Sequence, residues 1–173
     1  MGSFDRAEAC EVVGFYLLNK ITKPEELSFS KNNVGLYRDD GLAAVHGSGP
    51  EIDKIWKRVI RLFKEEGLQI TVEASSTKTD YLDVVFDLQK CSTRPYRKPN
   101  NQPTYINVKT NHPPMIIKQL PKMIEKRLST KAGSEKIFDE VKGQYQEALD
   151  RSGYKGKLEY SPAYMKIFSL LAL

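Results

Sequence analysis

Cysteine is scarce in this chain of 173 residues, with only Cys10 and Cys91 present. Far apart, they offer neither a metal-ligand spacing nor a disulfide framework, so a reducing compartment is the expectation. Histidine is as rare: His46 and His112 lie 66 positions apart with no cysteine near either, which excludes a zinc motif. A structural or capping role is expected for His112. Ser75-Ser76-Thr77 has no histidine near it and reads as a hairpin turn, not as a nucleophile. No run approaches the roughly 20 apolar residues that cross a bilayer. The start, Met1-Gly2-Ser3-Phe4-Asp5, has neither the basic segment nor the apolar stretch of a secretory signal. A soluble intracellular protein, cytoplasmic or nuclear and without a membrane partner, is therefore expected. Repeats and low-complexity linkers are absent too.

Negative charge is missing from one stretch. Residues 90–131 hold ten lysines and arginines against a single acid, Glu125. That local excess of nine leaves the rest of the chain four charges negative, on a total of +5. Such a segment suits a polymer of phosphates better than a small acid, although a solvated lysine-rich surface has the same composition. With 40% hydrophobic and 28% charged residues the chain is ordinary globular material, long enough for a real core.

What is present centres on Tyr37-Arg38-Asp39-Asp40. Val34-Gly35-Leu36 before it and Gly41 to Val45 after it are mostly apolar, so the segment reads as strand, acidic turn, strand, with Asp39, Asp40 and Gly41 at the turn. Adjacent carboxylates on a rigid edge suit hard divalent cations; the plain alternative is a solvent-exposed turn.

Around the hairpin, Asp5 and Glu8 have capping-box spacing. Ala9, Val12, Val13, Tyr16, Leu17 and Ile21 then recur at helical period until Pro24. Pro50 opens a second helix with the stripe Ile52, Ile55, Trp56, Val59, Leu62 and Phe63, stopped by Gly67. Strands are expected over Leu68 to Val72, Tyr81 to Leu88 and Thr104 to Val108, with Asp83 as a strand-end surface carboxylate. After Asn111-His112-Pro113-Pro114 comes a helix carrying Ile117, Leu120, Ile124 and Leu128, kinked or split at Pro121. A last helix from Ser134 to Ser152 has Ile137, Phe138, Val141, Tyr145, Ala148 and Leu149 inside, and Gly153 ends it.

In this order the blocks resemble reverse transcriptases. Gly2-Ser3-Phe4 followed by a helix looks like the motif after the first catalytic strand, and Tyr37-Arg38-Asp39-Asp40 matches the polymerase hairpin. Leu82-Asp83-Val84-Val85-Phe86, Tyr96-Arg97-Lys98-Pro99 and Asn111-His112-Pro113 with the basic helix after it look like the palm-to-thumb region of Penelope-like and related non-LTR retroelement enzymes. The likeness spans residues 1–155.

The resemblance implies an α+β fold: an antiparallel palm-type sheet with helices packed on one face, followed by a helical thumb-like region. The palm would cover residues 1–110, the thumb-like part 111–155, and 156–173 would be a divergent tail. It implies RNA-directed DNA synthesis by two-metal nucleotidyl transfer with Mg2+ or Mn2+, on an RNA or DNA primer–template with dNTPs. Asp39 would be the bridging metal ligand and Asp40 a secondary acid. Tyr37 would pack beneath the hairpin near the primer end, beside the nucleotide-proximal Gly2 and Ser3. Arg38 would either face away or meet backbone phosphate. Arg97, Lys98, Lys118, Lys122, Lys126 and Arg127 would contact nucleic acid, and 118, 122 and 126 share one helical face.

In the family the first catalytic aspartate lies upstream of the Gly2-Ser3 turn, and the fingers precede it. The expectation is accordingly a palm-and-thumb fragment, inactive until that region is supplied. The alternative is a non-enzymatic nucleic-acid-binding remnant using segment 90–131, or an interaction remnant whose acidic turn binds nothing.

Overall fold

The computed structural model describes residues 6–23, 27, 29 and 32–162. Gly2, Ser3, the expected Asp5 cap, Pro24 and the tail from Met165 onward lie outside them. The protein is α+β, with four helices and two small antiparallel sheets among the described residues. Its contacts divide into two compact units with the boundary between Ser75 and Ser76.

The first unit contains α1 (Arg6–Thr22), β1 (Val34–Tyr37), β2 (Asp40–Ala43) and α2 (Gly49–Glu65). The start of α2 follows from Ser48-x-x-Glu51. The Glu51 carboxylate accepts from the Ser48 backbone N–H at 2.7 Å and from its hydroxyl at 2.6 Å, as in the reciprocal half of a capping box. Its end follows from Gly67 (φ 75): Gly67 N–H donates to the Lys64 carbonyl and Leu68 N–H to that of Phe63, a Schellman stop. Val59 and Phe63 from α2 bury against Leu17, Ile21, Leu27 and Phe29. The stripe expected on α1 is only half used. Leu17 and Ile21 enter the core, whereas Val12, Val13 and Tyr16 lie on the exposed side. Tyr16 instead donates to Glu66 at 3.1 Å, beside a Lys20–Glu66 ion pair. Lys20, followed by the Tyr16 hydroxyl, holds the Glu66 carboxyl below the usual carboxylate range against the opposing effect of burial.

The strand expected over 68–72 does not form: these residues have no regular structure and pair with no strand among the described residues. Alternation gives Ile70 a place against the core without giving its backbone a neighbouring ladder. The sheet of this unit is therefore the β1–β2 hairpin alone.

In the second unit β3 (Lys78–Tyr81), β4 (Val84–Asp87) and β5 (Ser92–Pro95) make an antiparallel meander, followed by α3 (Pro114–Lys131) and α4 (Glu135–Arg151). Two strand expectations and one turn expectation change here. The single strand expected from Tyr81 to Leu88 is broken by a turn at Leu82-Asp83, where Leu82 takes φ 54 and Tyr81 pairs with Val84. Residues 104–108 are not a strand, because the end of α4 uses their backbone. Val108 N–H donates to the Ser152 carbonyl at 3.0 Å, and the Ser152 hydroxyl donates to the Tyr105 carbonyl at 3.1 Å. Ser75-Ser76-Thr77 is no hairpin turn; it leads across the unit boundary into β3. Helix α3 is continuous through Pro121 and not split there.

The core of this unit gathers Ile124 and Leu128 of α3, Phe138 and Leu149 of α4, and Tyr154 and Leu158 beyond it. Residues 156–161, expected within a divergent tail, are strapped across both helices. The Gln146 amide donates to the Gly156 carbonyl and accepts from Leu158 N–H. Glu159 N–H donates to Glu125, and Ser161 N–H to the Ser129 hydroxyl. The strands 78–95 thus share one body with the helices after residue 111.

Gly153 ends α4 as expected, with a second Schellman pair: its own N–H bonds to Asp150 and that of Tyr154 to Leu149. It has φ 84, and a Cβ there would stand 2.8 Å from the Val108 side chain. Gly153→Ala is expected to lower stability by about 1–3 kcal/mol through left-handed strain and overpacking. Urea denaturation of the full chain measures it; an unshifted midpoint would show that Val108 moves aside freely.

Candidate functional site

In the first unit the chain turns at Arg38-Asp39, and Tyr37 pairs directly with Asp40. The turn lies one residue earlier than the sequence implied, because Arg38 takes the left-handed position with φ 54. Asp39 is consequently at the apex and Asp40 is the first residue of β2. Cross-strand partners share a face, so Val34/Ala43 and Leu36/Gly41 form one side and Gly35/Leu42 and Tyr37/Asp40 the other. Val34, Leu36 and Ala43 pack on the α1–α2 core. A Cβ at Gly41, opposite Leu36, would meet the end of the Leu36 side chain at 2.9 Å and require it to shift.

One expectation for the hairpin changes as a result. Tyr37 does not pack beneath it; the ring stands on the open face, 51% exposed. Arg38 meets that ring, its guanidinium carbon 5.4 Å from the centroid. Asp39 and Asp40 are both exposed, and no salt bridge among the described residues engages either. As an oxygen-only donor set on a fixed turn, the pair fits a hard divalent cation. No group of three His, Cys, Asp or Glu that could hold a metal ion gathers among the described residues.

The second unit holds a cavity of about 360 Å³. It brings together three of the expected nucleic-acid residues, Arg97, Lys98 and Arg127, and adds Asp83, Tyr105 and Lys131. The local backbone explains the convergence. Tyr96 N–H donates to the Asp83 carbonyl at 2.8 Å, which carries the β3–β4 turn alongside the start of the Arg97-Lys98 loop. Arg97 Nε donates to the Asn101 carbonyl and folds that loop back. From α3, Arg127 donates to Asp83 Oδ2 at 2.7 Å, and Lys131 pairs with the same oxygen.

Asp83 is half exposed beside the start of β4, as expected of a strand-end surface carboxylate, and in addition the two α3 cations grip it at the turn. Lys131, with Arg127 assisting, holds its carboxyl below the usual range against partial burial. Burial draws the Lys131 ammonium down, while Asp83 opposes the shift. Burial pushes the Tyr105 hydroxyl up to about 12, with Tyr145 adding to it. Lys131 and Asp83 were not assigned a site from sequence. The signal for Lys131 was its position four residues after Arg127, on the same side of α3.

Lys118, Lys122 and Lys126 are all exposed on α3, sharing its outer side with Met115 and Met123. His112 bonds the Thr110 hydroxyl within its own loop at 3.1 Å. Among the described residues no helix is long and apolar enough to cross a membrane. Comparison with protein-family models, curated proteins and solved structures finds no match.

Proposed function

We propose that the chain is the palm-and-thumb portion of a retroelement reverse transcriptase, engaged in RNA-directed DNA synthesis once the other palm carboxylate is supplied. The observation that carries this reading is the hairpin. Tyr37-Arg38-Asp39-Asp40 forms a tight two-residue turn, backed on one face by α1 and α2 and open on the other. Asp39 and Asp40 would hold Mg2+ or Mn2+, which supplies charge stabilisation and lowers the pKa of the attacking hydroxyl. The chain's own part is to hold Asp40 by its cross-strand pairing with Tyr37 and Asp39 in the tight turn beside it, so that little reorganisation is needed as charge develops. Tyr37, on the same open face as Asp40, gives a flat surface for the primer end. Template-dependent incorporation of dNTPs, by this chain joined to a palm segment carrying the first aspartate motif, tests the reading. Incorporation that ignores the charge at Asp39 would overturn it.

A second reading, a nucleic-acid-binding module without catalysis, is supported by the gathering of Arg97, Lys98 and Arg127 around one cavity. In both readings the outer side of α3 tracks backbone phosphates. Replacing Lys118, Lys122 and Lys126 together by glutamine is expected to flatten the plot of log affinity against log salt by about 2–3 units of slope, since each phosphate contact contributes roughly 0.7–0.9. Fluorescence anisotropy of a labelled duplex at several salt concentrations measures this. An unchanged slope would remove α3 from the interface.

A further inference from the structure

The cavity of the second unit has a design that tracking a backbone does not require. On its lining the Asp83 carboxylate meets both Arg127 and Lys131, accepting from both through one oxygen. Lys131 is withdrawn from solvent, its side chain 18% exposed, whereas the lysines of the outer α3 side are open. Arg97 and Lys98 stand at the same cavity, so four cations face one carboxylate there. A concave site with such an excess of one sign focuses potential and draws in an anion of more than one charge. Tyr96, Tyr105 and Tyr145 line the remainder and offer flat apolar walls.

Size and charge together narrow the ligand. About 360 Å³ lies at the small end of ligand sites and suits a single nucleotide, not a duplex. A phosphodiester carries one charge, whereas a phosphomonoester carries nearly two near neutral pH and has three acceptor oxygens. Arginine and lysine are the side chains that meet such a group, by a planar fork and by a point charge. A nucleobase beside the phosphate would find an aromatic wall.

We propose that this cavity binds the terminal phosphomonoester of a nucleotide, with Asp83 serving as an internal stand-in that keeps Arg127 and Lys131 positioned when the phosphate is absent. The incoming phosphate takes over the Arg127 and Lys131 contacts and displaces the carboxylate. The shared chemistry has two sources, a free nucleoside monophosphate and the 5′ end of a strand. The inference rests on the nucleic-acid reading only for the source of the phosphate, and owes nothing to the Asp39 chemistry.

The experiment is calorimetric titration of the full chain with inorganic phosphate, a nucleoside 5′-monophosphate, and two short single strands of one sequence, bearing either a 5′-phosphate or a 5′-hydroxyl. The phosphorylated strand should bind at least about tenfold more tightly than its hydroxyl twin, as expected for one added charge in a partly enclosed site. Asp83→Asn should tighten binding of inorganic phosphate by about tenfold, because it removes the competing charge and retains the side-chain shape. Lys131→Met should weaken it, and so should Lys98→Gln, an exposed position whose change leaves the packing intact. A monophosphate matching the phosphorylated strand upholds the site with free nucleotide as its source; a strand binding more tightly upholds it with the strand end. Equal binding of the two strands would overturn the proposal. Phosphate affinity that stays level or falls in Asp83→Asn would overturn the stand-in role, leaving Asp83 as a clamp between turn and helix. Primer extension is untouched by either failure, so the two readings are judged separately.

Discussion

Asp39→Asn is expected to reduce template-dependent incorporation in the assembled enzyme by more than about 100-fold, with primer–template affinity little changed. Loss of a residue that merely orients a metal ligand costs 10–100-fold, and loss of a ligand exceeds that. Asparagine is the informative choice because it keeps the turn. Asp39 sits at the second turn position beside Arg38, and an amide of the same shape leaves the Tyr37–Asp40 pair in place. Asp40→Asn should cost less, since in the proposed reading Asp40, the first residue of β2, is the secondary acid. Steady-state incorporation with Mg2+ and then with Mn2+, beside a binding assay on the same preparations, separates chemistry from affinity. Equal activity of wild type and Asp39→Asn would end the metal-site assignment and leave the hairpin as an acidic turn.

The other large effect is on stability. Phe138 is fully buried, in contact with Tyr160 at a ring-centroid distance of 5.5 Å, within the cluster of Leu128, Leu149 and Leu158. Phe138→Ala removes that packing and leaves a cavity, at a cost of about 3–5 kcal/mol. A domain typically has only about 5–15 kcal/mol in total, so the variant should stand near its unfolding threshold at ambient temperature. The thermal midpoint of the second unit should fall by roughly 15–30 °C, on the usual 4–8 °C per kcal/mol for a unit of this size. Calorimetry of the full chain reads it, because the first unit has its own core and need not follow. A drop under about 5 °C would mean that this core repacks around the loss.

Helices were legible because their signals are local. The Pro50 opening, the Gly67 and Gly153 stops and the helix start at Ser134 all depend on neighbours within one or two turns. Strands were less legible, since a strand also needs a distant partner. Leu68 to Val72 alternates yet finds no ladder, whereas Ser92-Thr93-Arg94-Pro95 lacks apolar alternation and pairs as β5. The acidic hairpin was readable from contiguous residues, although the choice of Arg38 for the left-handed position moved the turn by one. The cavity was not readable, because its members come from five separate stretches around 83, 97, 105, 127–131 and 145. Tyr96, Arg97, Lys98, Arg127 and Tyr145 could be named individually from sequence, but only folding tells which of them face one another.

The strap over α3 and α4 has a consequence for how the second unit is made. Gln146, Glu125 and Ser129 wait with their side chains until residues 156–161 arrive, and Leu158 completes the core from that same stretch. During synthesis the helices emerge first, with Phe138 and Leu128 lacking their cover. The unit therefore reaches its closed form only when its last segment clears the ribosome, and is most open to aggregation or proteolysis in the interval before.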